Sequence, residues 1–234
     1  MTRTMNARIA GITFLLYIVT GITSMALSGA NGGTADTTAA KLASIAGHPW
    51  LMRINVVMAL LSAAYALVLG VTLYSLTRDQ DHDLAITALF CRAGEGLISV
   101  IFCVRSLALL SLAMGGSTPA VDPAATQALA GVLLKIGVWA PLLAATCFAV
   151  GSTLFSCLFL RARSIPVALS WLGIVSSVLL LPLLPLQLVG LLHPPLVSLM
   201  WMPMLAFEVG LALWLIIKGV AASRTSALVA GQGS

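Results

Sequence analysis

Six long apolar segments dominate this sequence, and each is long enough to cross a membrane. They cover residues 9–27, 51–76, 84–112, 124–160, 167–188 and 198–220. An α-helix rises 1.5 Å per residue, so about 20 residues cross the roughly 30 Å of hydrocarbon in a bilayer. Only 8% of the residues are charged, against roughly a quarter in soluble domains. The sequence therefore predicts an all-α, polytopic membrane helix bundle in which residues 1–234 form a single membrane-embedded domain.

The distribution of basic residues in the short loops predicts how the helices are oriented, because Lys and Arg are retained on the cytoplasmic side. The loops on one side contain only Lys41. The opposite side collects Arg3, Arg8, Arg78, Arg161, Arg163, Lys218 and Arg224. We therefore expect both the N and the C terminus to be cytoplasmic.

The first apolar segment has a second interpretation, because a basic start and the small residues Ser28-Gly29-Ala30 also suit a cleaved signal peptide. Its apolar run is longer than the 7 to 15 residues typical of a signal core. We expect a retained helix.

Capping signals outside the spans predict two further features. Asp122-Pro123 is typical of a helix start, so the fourth segment should be longer than a bilayer needs. Together with the third segment it should extend past the outer boundary as an antiparallel hairpin. Residues 36–47 should form a short helix that begins at a capping Asp36 and carries Leu42 and Ile45 on one face.

Three ionisable residues fall deep inside apolar segments. Glu95 lies about 16 Å along its helix from Leu84, and Glu208 lies about 15 Å along the sixth segment from Ser198, so both reach the midplane. Arg92 is one turn from Glu95 on the same helical face. A charge at that depth costs about 2.5 to 3.5 kcal/mol on insertion scales. We expect Arg92, Glu95 and Glu208 to form a buried polar network.

Small residues beside this network suggest which helices meet there. Gly94 and Gly96 flank Glu95, while Ala206 and Gly210 flank Glu208. They should let the third and sixth spans approach closely. The network has two interpretations: an ion pair that joins two helices, or a site that carries protons or contacts a polar ligand.

A second basic cluster is predicted at the outer membrane boundary. It contains Arg53, Arg105, Lys135 and His48. Long basic side chains at this level commonly reach for lipid phosphates. The alternative is a pocket for an anion or a lipid headgroup.

Several classes of function find no support in the sequence. The net charge of +5 is scattered over segment ends, which argues against a nucleic-acid partner. The chain has no nucleophile-elbow, zinc-protease or phosphate-loop motif, and its three histidines lie in or beside loops. We therefore expect no metal and no cofactor, and nothing argues for an enzyme.

Four short motifs resemble one family of bacterial membrane proteins, the domain of unknown function 4386. The motifs are Ala7-Arg8-Ile9-Ala10-Gly11, Arg92-x-x-Glu95-Gly96, Pro166 followed by Leu169-Ser170-Trp171-Leu172-Gly173, and Glu208 with Trp214-Leu215-Ile216-x-Lys218-Gly219. The resemblance spans nearly the whole chain and implies a multi-pass protein of the bacterial inner membrane. It implies no reaction, although Arg92, Glu95 and Glu208 fall on the family pattern.

Three hypotheses of function follow. The first is a non-enzymatic protein that binds or transports a small amphipathic or anionic molecule through the midplane network. The second is a structural or regulatory subunit of a membrane complex, and the third is an intramembrane lipid-modifying enzyme. Expected partners are membrane lipids, with a protein partner or a homo-oligomer also possible.

Overall fold

The computed structural model describes residues 2–29, 37–115, 122–192 and 194–220. Within these ranges, the sequence prediction of an all-α chain is confirmed. The helices are α1 (Arg3–Ser28), α2 (Thr38–Gly47), α3 (Pro49–Thr77), α4 (His82–Gly115), α5 (Pro123–Ala162), α6 (Val167–Leu188), α7 (Pro194–Met200) and α8 (Met202–Ile217). Six spans are long and apolar enough to cross a membrane, the last of them formed by α7 and α8 together.

The last span, predicted over residues 198–220, is interrupted between two helices. α7 ends at Met200 and α8 begins at Met202. Proline in the first turn of α8 has no backbone N–H, so it cannot continue the helical hydrogen bonds of the preceding turn. α8 then ends at Ile217, because Gly219 adopts a positive φ of 70° and its N–H donates to the Trp214 carbonyl at 3.1 Å.

Two predicted helix starts differ in outcome. At α5, the Asp122 carboxylate accepts a hydrogen bond from the Ala124 N–H at 3.0 Å, which confirms the cap. At α2, the prediction that Asp36 caps the helix is wrong, and Asp36 lies outside the described residues. Thr37 is the cap: its backbone is extended and its hydroxyl accepts from the Ala40 N–H at 3.2 Å, as an N-cap side chain does.

Contacts divide the chain into two compact units. The first unit consists of Met1–Leu16, Tyr65–Glu95 and Ala145–Ser234. The second unit consists of Tyr17–Ala64 and Gly96–Ala144. Each of α1, α3, α4 and α5 therefore contributes residues to both units.

In the second unit, the short helix α2 packs on the C-terminal part of α4 and the N-terminal part of α5. α4 has 34 residues and α5 has 40, or about 51 and 60 Å of helix, well beyond the roughly 30 Å of a bilayer core. Leu42 and Ile45 lie on the packed face of α2, as predicted. The buried residues of this cluster are Ile45, Met52, Leu109, Leu110 and Ala130.

In the first unit, glycines bring helices into close contact. A Cβ added at Gly11 of α1 would lie 2.7 Å from the Ala212 carbonyl oxygen of α8. A Cβ added at Gly173 of α6 would collide with the Phe207 ring and the Ser156 hydroxyl. Small residues let transmembrane helices pack at this distance without a hydrophobic driving force between them.

Candidate functional site: a buried arginine with two buried glutamates

Helix α4 carries a buried ion pair in the first unit. Arg92 Nη1 lies 2.8 Å from Glu95 Oε2. The two residues are 1% and 4% exposed. Residues three positions apart lie on the same helical face, so the spacing alone brings these side chains together.

Two glycines and an aromatic ring enclose the Arg92 side chain. A Cβ at Gly70 of α3 would stand 3.1 Å from Arg92 Cβ, and one at Gly151 of α5 would stand 3.6 Å from Arg92 Cδ. The guanidinium carbon lies 5.1 Å from the centre of the Phe148 ring, within the range of a cation–π interaction. A Cβ at position 70 would therefore crowd Arg92, whereas a Cβ at position 151 would be in ordinary van der Waals contact with it.

Helix α8 supplies the second carboxylate. Glu208 shares the buried stripe of α8 with Met204, Leu211 and Leu215, at the spacing of one helical face, and is 7% exposed. Its Oε1 has no hydrogen-bond partner within the part of the chain that the structure describes. Glu208 interacts electrostatically with both Arg92 and Glu95. We call Arg92, Glu95 and Glu208 the Arg92 seam.

A small cavity adjoins the seam. Its volume is about 10 Å³, and Arg92, Ser152 and Ser156 contribute polar groups to its wall. Four phenylalanines line the remainder together with two leucines: Phe14, Phe155, Phe159, Phe207, Leu73 and Leu211. A cavity of this size holds about one water molecule, so it is far smaller than an organic ligand.

The sequence misplaced the small residues around the seam. A Cβ at Gly94 would meet Cys147 of α5, and one at Gly210 would meet Leu169 of α6, so these glycines do not bring α4 and α8 together. The residues that enclose Arg92, Gly70 and Gly151, were missed. A sequence signal exists for the second, because the small residues Gly151, Ser152 and Ser156 cluster in this part of α5.

The four residues of the predicted outer cluster lie in the second unit, in different environments. Arg53, Lys135 and His48 are exposed, whereas Arg105 is half-buried. Among the described residues, no hydrogen bond or ion pair joins any two of the four. The pocket for an anion or headgroup stays a prediction.

Arg105 instead joins α4 to α5. Its Nε donates to the Leu133 carbonyl at 2.7 Å, and its guanidinium lies 5.2 Å from the centre of the Phe102 ring. A Cβ at Gly137 would collide with this guanidinium. Pro141 lies four residues further along α5 and lacks the N–H that would bond the Gly137 carbonyl. The charge thus lies beside a turn of α5 that lacks one backbone hydrogen bond.

A polar ladder between α1 and α3 was also missed by sequence reasoning. Asn55 is buried; its Oδ1 accepts from the Ser24 hydroxyl, and its Nδ2 donates to Ser28 Oγ at 2.9 Å. Further along, Ser62 Oγ donates to Thr20 Oγ1 at 3.3 Å. The spacing of Thr20, Ser24 and Ser28 at intervals of four was the available signal, because such small polar residues are common where membrane helices meet.

The model of the family described as Domain of unknown function (DUF4386) matches residues 9–219. No curated protein and no solved structure matches the chain.

Proposed function

We propose that this chain, which belongs to the DUF4386 family, binds or transports a small amphipathic or anionic molecule through the Arg92 seam, in the inner membrane of a bacterium. One observation carries the proposal. A fully buried guanidinium is paired with one carboxylate, while a second buried carboxylate keeps an oxygen without a hydrogen-bond donor among the described residues. Ionisable groups inside a membrane protein are costly and usually functional.

The guanidinium of Arg92 favours an anionic ligand. An anion that reaches the seam can replace Glu95 at the guanidinium, because carboxylate, sulfonate and phosphate oxygens all fit its planar N–H groups. The aromatic wall formed by Phe148, Phe155 and Phe207 suits an apolar body attached to the anion.

The charge balance of the seam, which includes Glu208, couples the binding of an anion to the uptake of a proton. With all three groups ionised the seam would carry one excess negative charge, and a buried charge without a partner costs several kcal/mol. A proton on Glu208 makes the seam neutral. A second proton, taken up when an anion displaces Glu95, would keep it neutral in the bound state.

The small cavity implies that binding requires movement. A volume of about 10 Å³ cannot hold an organic anion, so helices of the first unit must separate to admit one. Gly173 has no side chain where α6 meets Ser156 and Phe207. In this proposal α6 shifts along that contact.

The test is calorimetric titration of the purified protein in lipid nanodiscs with butane-1-sulfonate, an anion that stays ionised and partitions weakly into lipid. Repeating the titration in buffers with different ionisation enthalpies counts the protons taken up. We expect saturable binding with proton uptake, and loss of binding in Arg92→Met. Glu208→Gln should leave the proton uptake unchanged, because the proton taken up on binding goes to the displaced Glu95. Lys135→Gln, at an exposed cation of the second unit, is the control. Binding equal to that of empty nanodiscs would count against the proposal.

A structural or regulatory subunit is the second candidate, and the size of the cavity favours it. In that case the seam joins helices and the ligand experiment fails, while a partner in fixed stoichiometry co-purifies from the native membrane. A lipid-modifying enzyme would need a nucleophile and a base in a ligand-sized cavity, and the cavity at Arg92 gives that hypothesis no support.

A further inference from the structure

A second cavity opens at the ends of α1 and α3 in the first unit. It has a volume of about 460 Å³ and is lined by Arg3, Asn6, Val71, Ser75, Arg78 and Asp79, among others. We call it the Arg3–Arg78 cleft. Its size is within the range of small-molecule sites, and it is independent of the Arg92 seam and of the function proposed for that seam.

The cleft carries an excess positive charge. Asp79 Oδ2 lies 3.4 Å from Arg3 Nη1, and Asp79 Oδ1 lies 4.0 Å from Arg78 Nε. One carboxylate thus faces two guanidiniums. Arg3 also donates to the Leu76 carbonyl at 3.1 Å, which fixes its position, whereas the Arg78 side chain is 57% exposed and has donors to spare.

The wall of the cleft continues into an exposed apolar surface. Val71 lines the cleft and is 56% exposed. Val68, one turn deeper on α3, and Met5 on α1 are exposed apolar residues of the same unit. A phosphate at the arginines would therefore have apolar surface next to it for an acyl chain, which a soluble anion would not use.

We propose that the Arg3–Arg78 cleft binds the headgroup of an anionic phospholipid of the phosphatidylglycerol class. Arg78 and Arg3 bind the phosphate through charge-assisted hydrogen bonds. Asp79 accepts from the glycerol hydroxyls, and the acyl chain lies along Val71. The single excess positive charge matches a lipid that carries one negative charge.

The experiment is native mass spectrometry of the full chain with phosphatidylglycerol, phosphatidylethanolamine or phosphatidylcholine of identical acyl chains. We expect retention of phosphatidylglycerol over the other two. Arg78→Gln should weaken its apparent affinity about tenfold, equivalent to about 1.4 kcal/mol. Arg163→Gln is the matched control, because Arg163 is an exposed arginine that does not line the cleft.

Three results would overturn the proposal. Equal losses in Arg78→Gln and Arg163→Gln would indicate a diffuse charge effect, and equal retention of the zwitterionic lipids would refute anion selection. Displacement of the lipid by excess glycerol phosphate would indicate a soluble phosphate ester as the ligand. Arg3→Gln provides the second variant, and its thermal unfolding curve identifies any loss that comes from the broken contact with Leu76 rather than from the headgroup.

Discussion

At the scale of single residues, the most informative position is Arg92, because its positive charge is enclosed with two carboxylates. We expect Arg92→Met to destabilise the protein by about 3–5 kcal/mol, since it leaves carboxylates buried without a cation. Glu208→Gln should cost less, because Arg92 keeps Glu95 at 2.8 Å. The triple variant Arg92→Met/Glu95→Gln/Glu208→Gln should return close to wild-type stability. Thermal unfolding in detergent provides the comparison.

The same variants separate the two interpretations of the seam. A triple variant that is as stable as wild type yet loses butane-1-sulfonate binding assigns the seam to function. A harmless Arg92→Met would show that the three residues do not form a buried network, and both interpretations would then fail.

Gly173 gives a second prediction at this scale. Gly173→Ala places a methyl group against Phe207 and Ser156, and overpacking of this kind costs about 1–3 kcal/mol. Gly21→Ala is the control, because a Cβ there meets nothing within 4 Å and alanine favours the helix by up to about 1 kcal/mol. Opposite shifts of the unfolding temperature are expected. If both substitutions raise it, the contact of α6 with Phe207 is not close.

At the scale of helices, Arg105 holds α4 against α5 through the Leu133 carbonyl. Arg105→Met removes a hydrogen bond from a charged donor, worth about 1.5–3 kcal/mol. The matched change Arg53→Met, at an exposed arginine of the same unit, should stay within about 0.5 kcal/mol. Chemical unfolding followed by tryptophan fluorescence measures both. Equal effects of the two substitutions would mean that Arg105 acts only as a surface charge.

The helices differ in how far the sequence specifies them. Length and apolar composition predict the six spans, and Asp122-Pro123 predicts the start of α5. The interruption at Trp201 was missed because apolar residues lie on both sides of it, although Pro203 was the available signal. The Arg92–Glu95 pair follows from helical spacing, since both partners lie on one helix. The packing of Gly70 and Gly151 on Arg92 does not follow from the sequence. Lipid is as apolar as the protein interior, so hydrophobicity cannot show which face of a helix is buried.

At the scale of the whole molecule, the testable property is orientation. After replacement of the four native cysteines, single cysteines at Gln80 and Arg163 should react with an impermeant maleimide only when the cytoplasmic side is exposed. A cysteine at Gln127, exposed near the start of α5, should react from outside. Labelling of position 80 or 163 in intact cells would contradict the predicted orientation.

The narrow cavity beside Arg92 also bears on the electrical tightness of the membrane. A cell that stores energy as a voltage loses it through any continuous file of water that crosses the bilayer. Among the described residues, the cavity at Arg92 holds about one water molecule and is lined mainly by phenylalanine rings. An arginine and two glutamates are therefore buried in this unit beside a cavity too small to hold such a file of water.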